Sequence, residues 1–216
     1  MAFAVDLHTH TRQGSSCSYM EPADLLRQAQ SLGLDAVCIT EHSAAWDESS
    51  LRTLAREGPP LVFAGMEVGT ELGDVLVFLA DGPMPGGGRA AELRALTDEA
   101  GGVMIAAHPF RRFFAPGVLP SIEEALANPL FELVDAVEVF NGMGSRWEQE
   151  FAIEVVRRLP LPAVAVSDSH APHTLGSCYT LFERPLATVE DLIGEVRSGR
   201  AKAVHPLMGL EFERGT

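Results

Sequence analysis

Short apolar runs alternate with amphipathic segments along most of this chain. The apolar runs are FAVDL, DAVCIT, LVFAGMEV, DVLVFLA, VMIAA, DAVEVF, AVAVS and AKAVH. Runs of this length, bounded by polar or turn residues, predict buried β-strands. Because DVLVFLA follows LVFAGMEV across the tight ELGD turn, we expect these two strands to pair in antiparallel fashion.

The segments between the runs show helical spacing. In EPADLLRQAQSLGL, Pro22 suits a first helical turn and Gly33 suits the helix end. The apolar positions of this segment recur every three or four residues, at Leu25, Leu26, Ala29 and Leu32. Further helices are predicted at LRTLAREG, RAAELRALTDEAGG, SIEEALAN, SRWEQEFAIEVVRRL and VEDLIGEVRSG.

Strands that alternate with helices indicate an α/β fold built from parallel units. Polar residues follow many of the strands, which favours a TIM-like barrel whose active site lies at the carboxyl ends of the strands. A doubly wound open sheet is the alternative, but it does not explain polar residues after so many different strands. No repeat or linker divides the sequence, so we expect residues 1–216 to form a single domain.

Charge and composition narrow the possible partners. The formal net charge of −14 argues against a long nucleic acid as ligand, because phosphate backbones bind lysine and arginine. Three cysteines without a CxxC pair favour a reducing, cytoplasmic location. No apolar stretch approaches the roughly 18–20 residues of a membrane span, and the N-terminus lacks a basic signal-peptide region. The sequence leaves the oligomeric state open.

Five of the seven histidines and two carboxylates lie where apolar runs end. These residues are His8, His10, His42, Glu67, His108, Asp168 and His170. Imidazole and carboxylate are common ligands of Zn, Mn and Fe. His8 and His10 are two positions apart at a strand end, so both side chains face the same side. The pattern predicts a site for several metal ions.

Three arginines follow strands on the same predicted edge. Arg111 and Arg112 come after the HPF turn, and Arg146 comes after the NGMGS loop. The planar guanidinium matches phosphate oxygens, so each is a candidate phosphate contact. The alternative is that each is a solvated charge paired with one of the many acidic residues.

The motifs DLHTHT, ITEH, GME, AAHP and SDSH, in this order, resemble those of the PHP family, named for polymerase and histidinol phosphatase domains. The resemblance extends from about residue 4 to residue 205. It implies a distorted (β/α)7 barrel, phosphoesterase activity and two or three divalent metal ions (Zn, Mn or Fe).

The resemblance also implies a set of ligands for each ion. One ion would be held by four residues, namely His8, His10, Glu67 and Asp168. Glu67 would bridge to a second ion at His108, and a third would lie at His42 and His170. Cys17 stands where many members carry an acidic or histidine ligand, and Asp74 is the nearest substitute for a second missing ligand. Glu41 replaces the usual aspartate of the TDH motif.

Charge suggests a mechanism for a small phosphomonoester or nucleotide. A hydroxide between the metals bridged by Glu67 would attack phosphorus, with Arg111 on the phosphate. A third ion, or His170 or His42 as a general acid, would assist the leaving oxygen. The alternatives are an exonuclease on short oligonucleotides, an amidohydrolase-like metal hydrolase and a non-catalytic PHP domain. The single lysine, Lys202, counts against the amidohydrolase, which usually needs a metal-bridging lysine.

Three further residues have two interpretations each. Asp6 either orients a ligand histidine or caps a strand end. Glu138 and Asn141 lie at a strand end, where a role in the site competes with an ordinary Asn-Gly turn. His205 lies beyond the last helix and is interpreted as structural.

Overall fold

The computed structural model describes residues 2–43, 46–55, 59–114 and 121–213. Its strands are β1 (Phe3–Thr9), β2 (Ala36–Glu41), β3 (Leu61–Thr70), β4 (Gly73–Phe78), β5 (Val103–Ala106), β6 (Ala136–Asn141), β7 (Ala163–Val166), β8 (Tyr179–Phe182), β9 (Ala201–His205) and β10 (Leu210–Glu213). Its helices are α1 (Pro22–Leu32), α2 (Glu48–Ala55), α3 (Ala90–Glu99), α4 (Ile122–Leu126), α5 (Arg146–Val156) and α6 (Val189–Ser198).

All ten described strands belong to one sheet, in the order β10-β9-β8-β1-β2-β3-β4-β5-β6-β7. Strands β1 to β3 are parallel to one another, as are β5 to β7. Strand β4 lies antiparallel between β3 and β5, as the short ELGD turn predicts. Strands β8 to β10 extend the sheet beyond β1 in antiparallel fashion.

The sheet curls until the residues after β7 meet the end of β1, which nearly closes a barrel. Thr9 bridges to Ser169 in parallel register, and the His10 amide donates to the Ser169 carbonyl at 2.9 Å. The buried Asp6 completes this junction, because its two oxygens accept from the amides of Ser167 at 2.9 Å and Gly176 at 3.1 Å. The predicted TIM-like barrel of seven strands is confirmed.

The barrel strands form where the sequence is apolar on both faces. Every residue of β2, β5, β6 and β7 is buried, which is typical of strands covered by helices outside and packed inside. Helix α1 begins at Pro22 and ends before Gly33, whose φ of 72° is left-handed. It packs through Leu25, Leu26 and Ala29, whereas the predicted contact Leu32 is 48% exposed.

The sequence predicts β9 but neither β8 nor β10, both of which are short and partly exposed. Among the described residues, no helix combines the length and the apolar character needed to cross a bilayer.

Candidate metal centre

The seven predicted ligand residues converge at one end of the barrel. They lie at or just after the ends of β1, β2, β5 and β7 and within β3. Their ligand atoms form three overlapping groups, each with all atoms within 4.8 Å of one another: His8, His10 and Asp168; His8, Glu67 and His108; His10, His42 and His170. The third group adds His10 to the pair that the sequence suggests for a third ion.

His8 and His10 form the centre of the cluster. Their Nε2 atoms are 2.9 Å apart, and each lies 3.2 Å from Glu67 Oε2. Asp168 Oδ1 faces the same two nitrogens at 3.5 Å. Two imidazole nitrogens and two carboxylate oxygens therefore point toward one small volume.

Glu138 determines which nitrogen of His8 is free. The fully buried His8 ring approaches Glu138 Oε1 through Nδ1 at 2.8 Å. A carboxylate only accepts hydrogen bonds, so the ring hydrogen is on Nδ1 and Nε2 presents a lone pair to the cluster. Lone pairs and anionic oxygens repel unless a cation lies between them, so this donor set fits a divalent metal ion.

Glu67 connects the groups. Its Oε1 lies 2.8 Å from His108 Nε2, and its Oε2 lies 3.2 Å from His42 Nδ1. Burial alone would raise the pKa of Glu67, but the surrounding imidazoles, chiefly that of His8, lower it well below its ordinary value. An ionised carboxylate whose two oxygens face different histidines has the arrangement of a bridging ligand.

The pKa values of Asp168 and His8 shift in opposite directions, partly because the two side chains attract each other. Burial would raise the pKa of Asp168, but His8, His10 and Arg111 lower it well below its ordinary value. Burial would lower the pKa of His8, but Asp168, Glu138 and Glu67 raise it well above 6.5. Three carboxylates around His8 thus favour positive charge at this point, and a bound divalent cation supplies that charge in place of a proton on Nε2.

Two of the seven residues have a strained backbone. His108 has a φ of 31° and Asp168 a φ of 53°, the only positive φ values of described residues other than glycine. Such conformations cost about 1–3 kcal/mol each and concentrate at functional sites. The amide of His108 is held by Glu138 Oε2 at 2.7 Å, so one carboxylate positions both His8 and His108.

His42 and His170 lie on the more open side of the cluster. The His42 ring is 4.4 Å from that of His10, measured between centroids, and the His170 ring is also 4.4 Å from it. His170 Nδ1 lies 2.9 Å from the carbonyl oxygen of Asp168, so this nitrogen carries the ring hydrogen and leaves Nε2 free. Burial lowers the pKa of His42, which favours its neutral, ligating form.

The three arginines occupy different environments. Arg111 Nη2 donates to Asp168 Oδ2 at 2.8 Å, and Arg111 and Arg112 line a cavity of about 760 Å³ that includes His108. Arg112 lies over the ring of Phe113, at 4.8 Å from its centroid. Arg146 is instead on α5, paired with Glu150 at 2.9 Å, and is not among the residues that line this cavity.

The two candidate extra ligands, Asp74 and Cys17, lie in different positions relative to the cluster. Asp74 Oδ2 is 4.0 Å from His108 Nδ1, on the opposite side of the ring from Glu67, so it is placed to orient His108 rather than to share its ion. Cys17 is exposed and belongs to none of the three groups of ligand atoms.

The sequence did not indicate the residues behind His10. Ser15 Oγ lies 3.1 Å from His10 Nδ1, and Ser15 donates to the buried Glu41 at 2.5 Å. Only the replacement of the usual aspartate by Glu41 distinguished this region beforehand. Glu138 and Asn141, by contrast, do line the centre, since Asn141 donates to Glu138 at 3.0 Å.

The chain is similar to known proteins over most of its length. A family model described as PHP-associated matches residues 146–201. The uncharacterized protein MJ1587 of Methanocaldococcus jannaschii is 29% identical over 146 residues, which are 63% of this chain and 80% of that protein.

Solved structures share the fold. A two-domain protein from Bacteroides vulgatus that contains a predicted PHP-like metal-dependent phosphoesterase is 21% identical, with a TM-score of 0.72 over 94% of this chain and 65% of that one. PsfC from Pseudomonas syringae is 22% identical, with a TM-score of 0.65 over 96% and 93% of the two chains. The family model and the PHP-like fold of the Bacteroides vulgatus protein confirm the resemblance to the PHP family.

Other structural neighbours carry different names. Endonuclease Q from Pyrococcus furiosus is 18% identical, with a TM-score of 0.57 over 92% of this chain and 56% of that one. An amidohydrolase from Chromobacterium violaceum is 14% identical, with a TM-score of 0.58 over 94% and 98%. At these identities the likeness concerns the fold and does not transfer an activity.

Proposed function

We propose that this chain, with the fold of the PHP-like metal-dependent phosphoesterases, hydrolyses phosphate esters with two or three divalent metal ions bound at the cluster. The observation that carries the proposal is the convergence of His8 Nε2 and His10 Nε2, 2.9 Å apart, on oxygens of Glu67 and Asp168. We assign the whole of residues 1–216 to one domain of this kind, with a cytoplasmic location.

The seven clustered residues would hold the ions. When bound, divalent ions neutralise the phosphate oxygens and make water a better nucleophile near neutral pH. In the hydrolysis, a water oxygen forms a bond to phosphorus, the ester P–O bond breaks and the alcohol leaves with a proton. Zn, Mn and Fe all suit a mixed set of histidines and carboxylates.

Arg111 binds and orients the phosphate in this proposal. Its guanidinium is fixed by Asp168 at 2.8 Å and Asn141 at 3.2 Å, while 44% of its side chain is exposed. The fixed orientation leaves N–H groups for the phosphate oxygens of a substrate in the adjoining cavity. Arg112, on the same wall, is a second contact.

His170 is assigned to the proton of the leaving alcohol when two ions are bound. Its side chain is 26% exposed, and its Nδ1 hydrogen is held by the Asp168 carbonyl. The role therefore requires a second ring hydrogen, on Nε2, which would pass to the leaving oxygen. With a third ion bound, His170 Nε2 would instead serve as a ligand together with His42.

The substrate is proposed to be small. The cavity beside His108 has a volume of about 760 Å³, which falls in the range of pockets that bind small molecules. A net charge of −14 disfavours extended polyanions. A phosphomonoester or a nucleotide fits both properties.

The test combines metal analysis with a substrate panel. Purified protein is expected to contain divalent ions by mass spectrometry and to hydrolyse at least one phosphoester after loading with Mn, Zn or Fe. The panel contains nucleoside monophosphates, nucleoside 3′,5′-bisphosphates, histidinol phosphate, short oligonucleotides, and an amide and a lactone. Turnover of the amide or lactone with every phosphoester inert would refute the proposed reaction.

Glu67→Gln provides the matching variant. Because it removes the charge that faces four histidines, we expect fewer bound ions, weaker metal affinity and a loss of turnover. The affinity loss should exceed the roughly hundredfold effect of removing an outer hydrogen-bond partner. Glu150→Gln, which changes an exposed carboxylate on α5, is the control. Full metal content and activity in Glu67→Gln would contradict a bridging role.

A further inference from the structure

The hydroxyl of Ser15 lies between a cluster histidine and a buried carboxylate. Ser15 Oγ is 3.1 Å from His10 Nδ1 and 2.5 Å from Glu41 Oε2. It also accepts from the backbone amide of His42 at 3.2 Å. Ser15 is 2% exposed and Glu41 is fully buried, so no solvent competes for these bonds.

The directions of these bonds follow from the number of donors. A serine hydroxyl has one hydrogen to donate and two lone pairs to accept with. The carboxylate of Glu41 only accepts, so the Ser15 hydrogen lies on the bond to Glu41. The His42 amide uses one of the two lone pairs. The second lone pair faces His10 Nδ1, which must therefore carry the hydrogen.

We propose that Ser15 and Glu41 are positioning residues that hold His10 in the tautomer whose Nε2 can bind a metal ion. The inference rests on the proposed function, because it takes His10 as a ligand. Glu138 has the same effect on His8 directly, whereas Glu41 acts on His10 through the Ser15 hydroxyl. Both imidazoles then present lone pairs at the point where their Nε2 atoms meet.

Glu41 has few other orientations open to it. Its Oε1 accepts from Trp46 Nε1 at 3.1 Å and from the hydroxyl of Thr11, and both of its oxygens accept from the Thr11 amide. The side chain fits only because residue 14 is glycine: a Cβ on Gly14 would lie 2.5 Å from Glu41 Cγ. The loop after β1 is thus shaped around this carboxylate.

Two substitutions of Glu41 distinguish the direction of its hydrogen bond with Ser15 from the packing of its side chain. Glu41→Gln keeps the size and shape. Because three donor contacts converge on Oε1, the amide oxygen is expected there, which turns the NH₂ group toward Ser15. The Ser15 hydrogen would then point to His10 Nδ1, and the hydrogen of the ring would move to Nε2, where it blocks a metal ion.

Glu41→Asp has the opposite properties. It shortens the side chain by one methylene group, which disturbs packing, but it remains a pure acceptor. The Ser15 hydrogen still points to the carboxylate, and His10 keeps its hydrogen on Nδ1. A positioning role therefore predicts that Asp is better tolerated than Gln, whereas a role in packing alone predicts the reverse order.

The experiment measures zinc binding in the full chain, without reference to activity. Affinity is obtained by competition with a chelator, and stoichiometry by mass spectrometry. Glu41→Gln should weaken binding by roughly ten- to a hundredfold. Ser15→Ala should weaken it less than Glu41→Gln, because His10 can still adopt either tautomer, and Glu41→Asp should stay closest to wild type. Thr97→Val removes a buried hydroxyl bond on α3 and is the control.

A second measurement reads the tautomer itself. In ¹⁵N spectra of the zinc-loaded protein, His10 should show a proton on Nδ1 in wild type and in Glu41→Asp, and should lose it in Glu41→Gln. Zinc binding by Glu41→Gln equal to wild type, with Glu41→Asp weaker, would overturn the inference and leave the proposed function standing. A wild-type chain that binds no divalent ion would overturn both.

Discussion

At the level of single residues, the ring hydrogens of the histidines decide what the cluster can bind. The Nδ1–H group of His8 donates to Glu138, and that of His170 donates to the Asp168 carbonyl. Each ring therefore directs its other nitrogen away from these partners, free to act as a ligand. The chemistry of the centre depends as much on these outer contacts as on the ligands.

Arg111 and Arg146 allow a matched test of phosphate recognition. In Arg111→Ala, loss of a charge-assisted contact to phosphate should lower kcat/KM by roughly ten- to a hundredfold. Arg111→Lys should recover only part of this loss, because lysine lacks the planar fork. Arg146→Ala should leave kcat/KM unchanged, since Arg146 is paired with Glu150. Steady-state kinetics on the phosphoester with the highest turnover would measure kcat/KM for all three variants. Equal effects of Arg111→Ala and Arg146→Ala would contradict the assignment of Arg111 as the phosphate contact.

At the level of elements, the junction between β1 and β7 holds the site together. His8 lies at the end of β1 and His10 directly follows it, whereas Asp168 and His170 follow β7. Where the barrel almost closes, these pairs meet, because Thr9 bridges to Ser169 and Asp6 spans the remaining gap. Asp6 thus joins the strands, and the interpretation of it as a strand-end residue fits better than direct orientation of an imidazole.

Asp6→Asn should weaken this junction. Both oxygens of Asp6 accept from backbone amides, so the NH₂ group of asparagine would face an N–H donor and leave one of them without an acceptor. We expect the free energy of unfolding to fall by about 1–3 kcal/mol, as measured by denaturant titration. Asp35→Asn, which changes an exposed carboxylate bonded to the Ala4 amide, should have a smaller effect. Equal effects in the two variants would argue against a special role for Asp6.

His205, at the end of β9, makes stability depend on pH. It is 3% exposed, and neither ring nitrogen has a hydrogen-bond partner among the described residues. Burial lowers its pKa below 6.5. Below pH 6.5 the unfolded chain therefore binds a proton at this position more readily than the folded chain, and stability falls as the pH decreases.

His205→Leu should reduce this sensitivity to acid. The variant removes two unpartnered buried nitrogens, so its free energy of unfolding at pH 8 should equal or exceed that of wild type by about 1 kcal/mol. The difference between the variant and wild type should grow from pH 7 to pH 5. Denaturant titrations across this range give the comparison, with exposed His173 replaced by leucine as control. Parallel pH profiles for His205→Leu and wild type would refute the assignment.

For the whole molecule, the cluster concentrates negative charge at one end of an already acidic barrel. The formal net charge is −14, and the site adds buried Glu67, Asp168 and Glu138 close together. The buried carboxylates repel one another, and metal ions would relieve this repulsion only in the folded state, because only folding brings the ligands together. Metal binding should therefore stabilise the fold.

Metal addition should raise the melting temperature. At a hundredfold excess over Kd, each bound ion contributes about 2.7 kcal/mol. For a chain of this size, 1 kcal/mol corresponds to about 2–4 °C, so one ion should raise Tm by about 5–10 °C. Thermal melts with Zn or Mn, before and after chelation, give the measurement. Glu67→Gln should show a smaller rise, and an unchanged Tm in wild type would count against a metal centre.

The sequence by itself determined the β/α alternation, the antiparallel β3–β4 pair and the positions of the seven ligand candidates. These follow from local patterns, since burial on both faces requires continuous apolar runs and strand ends place polar residues at one rim. It also singled out Glu67 and Arg111. The sequence does not predict strands β8 and β10, because they are short and only partly buried.

Only the tertiary structure decided how the ligands are held. The tautomer of His8 depends on Glu138, 130 positions away, and that of His10 depends on Glu41 through Ser15. The same applies to the arginines, because curvature of the barrel brings Arg111 to Asp168 while helix α5 carries Arg146 to Glu150. Hydrogen-bond directions and charge partners arise between distant segments, so no local pattern encodes them.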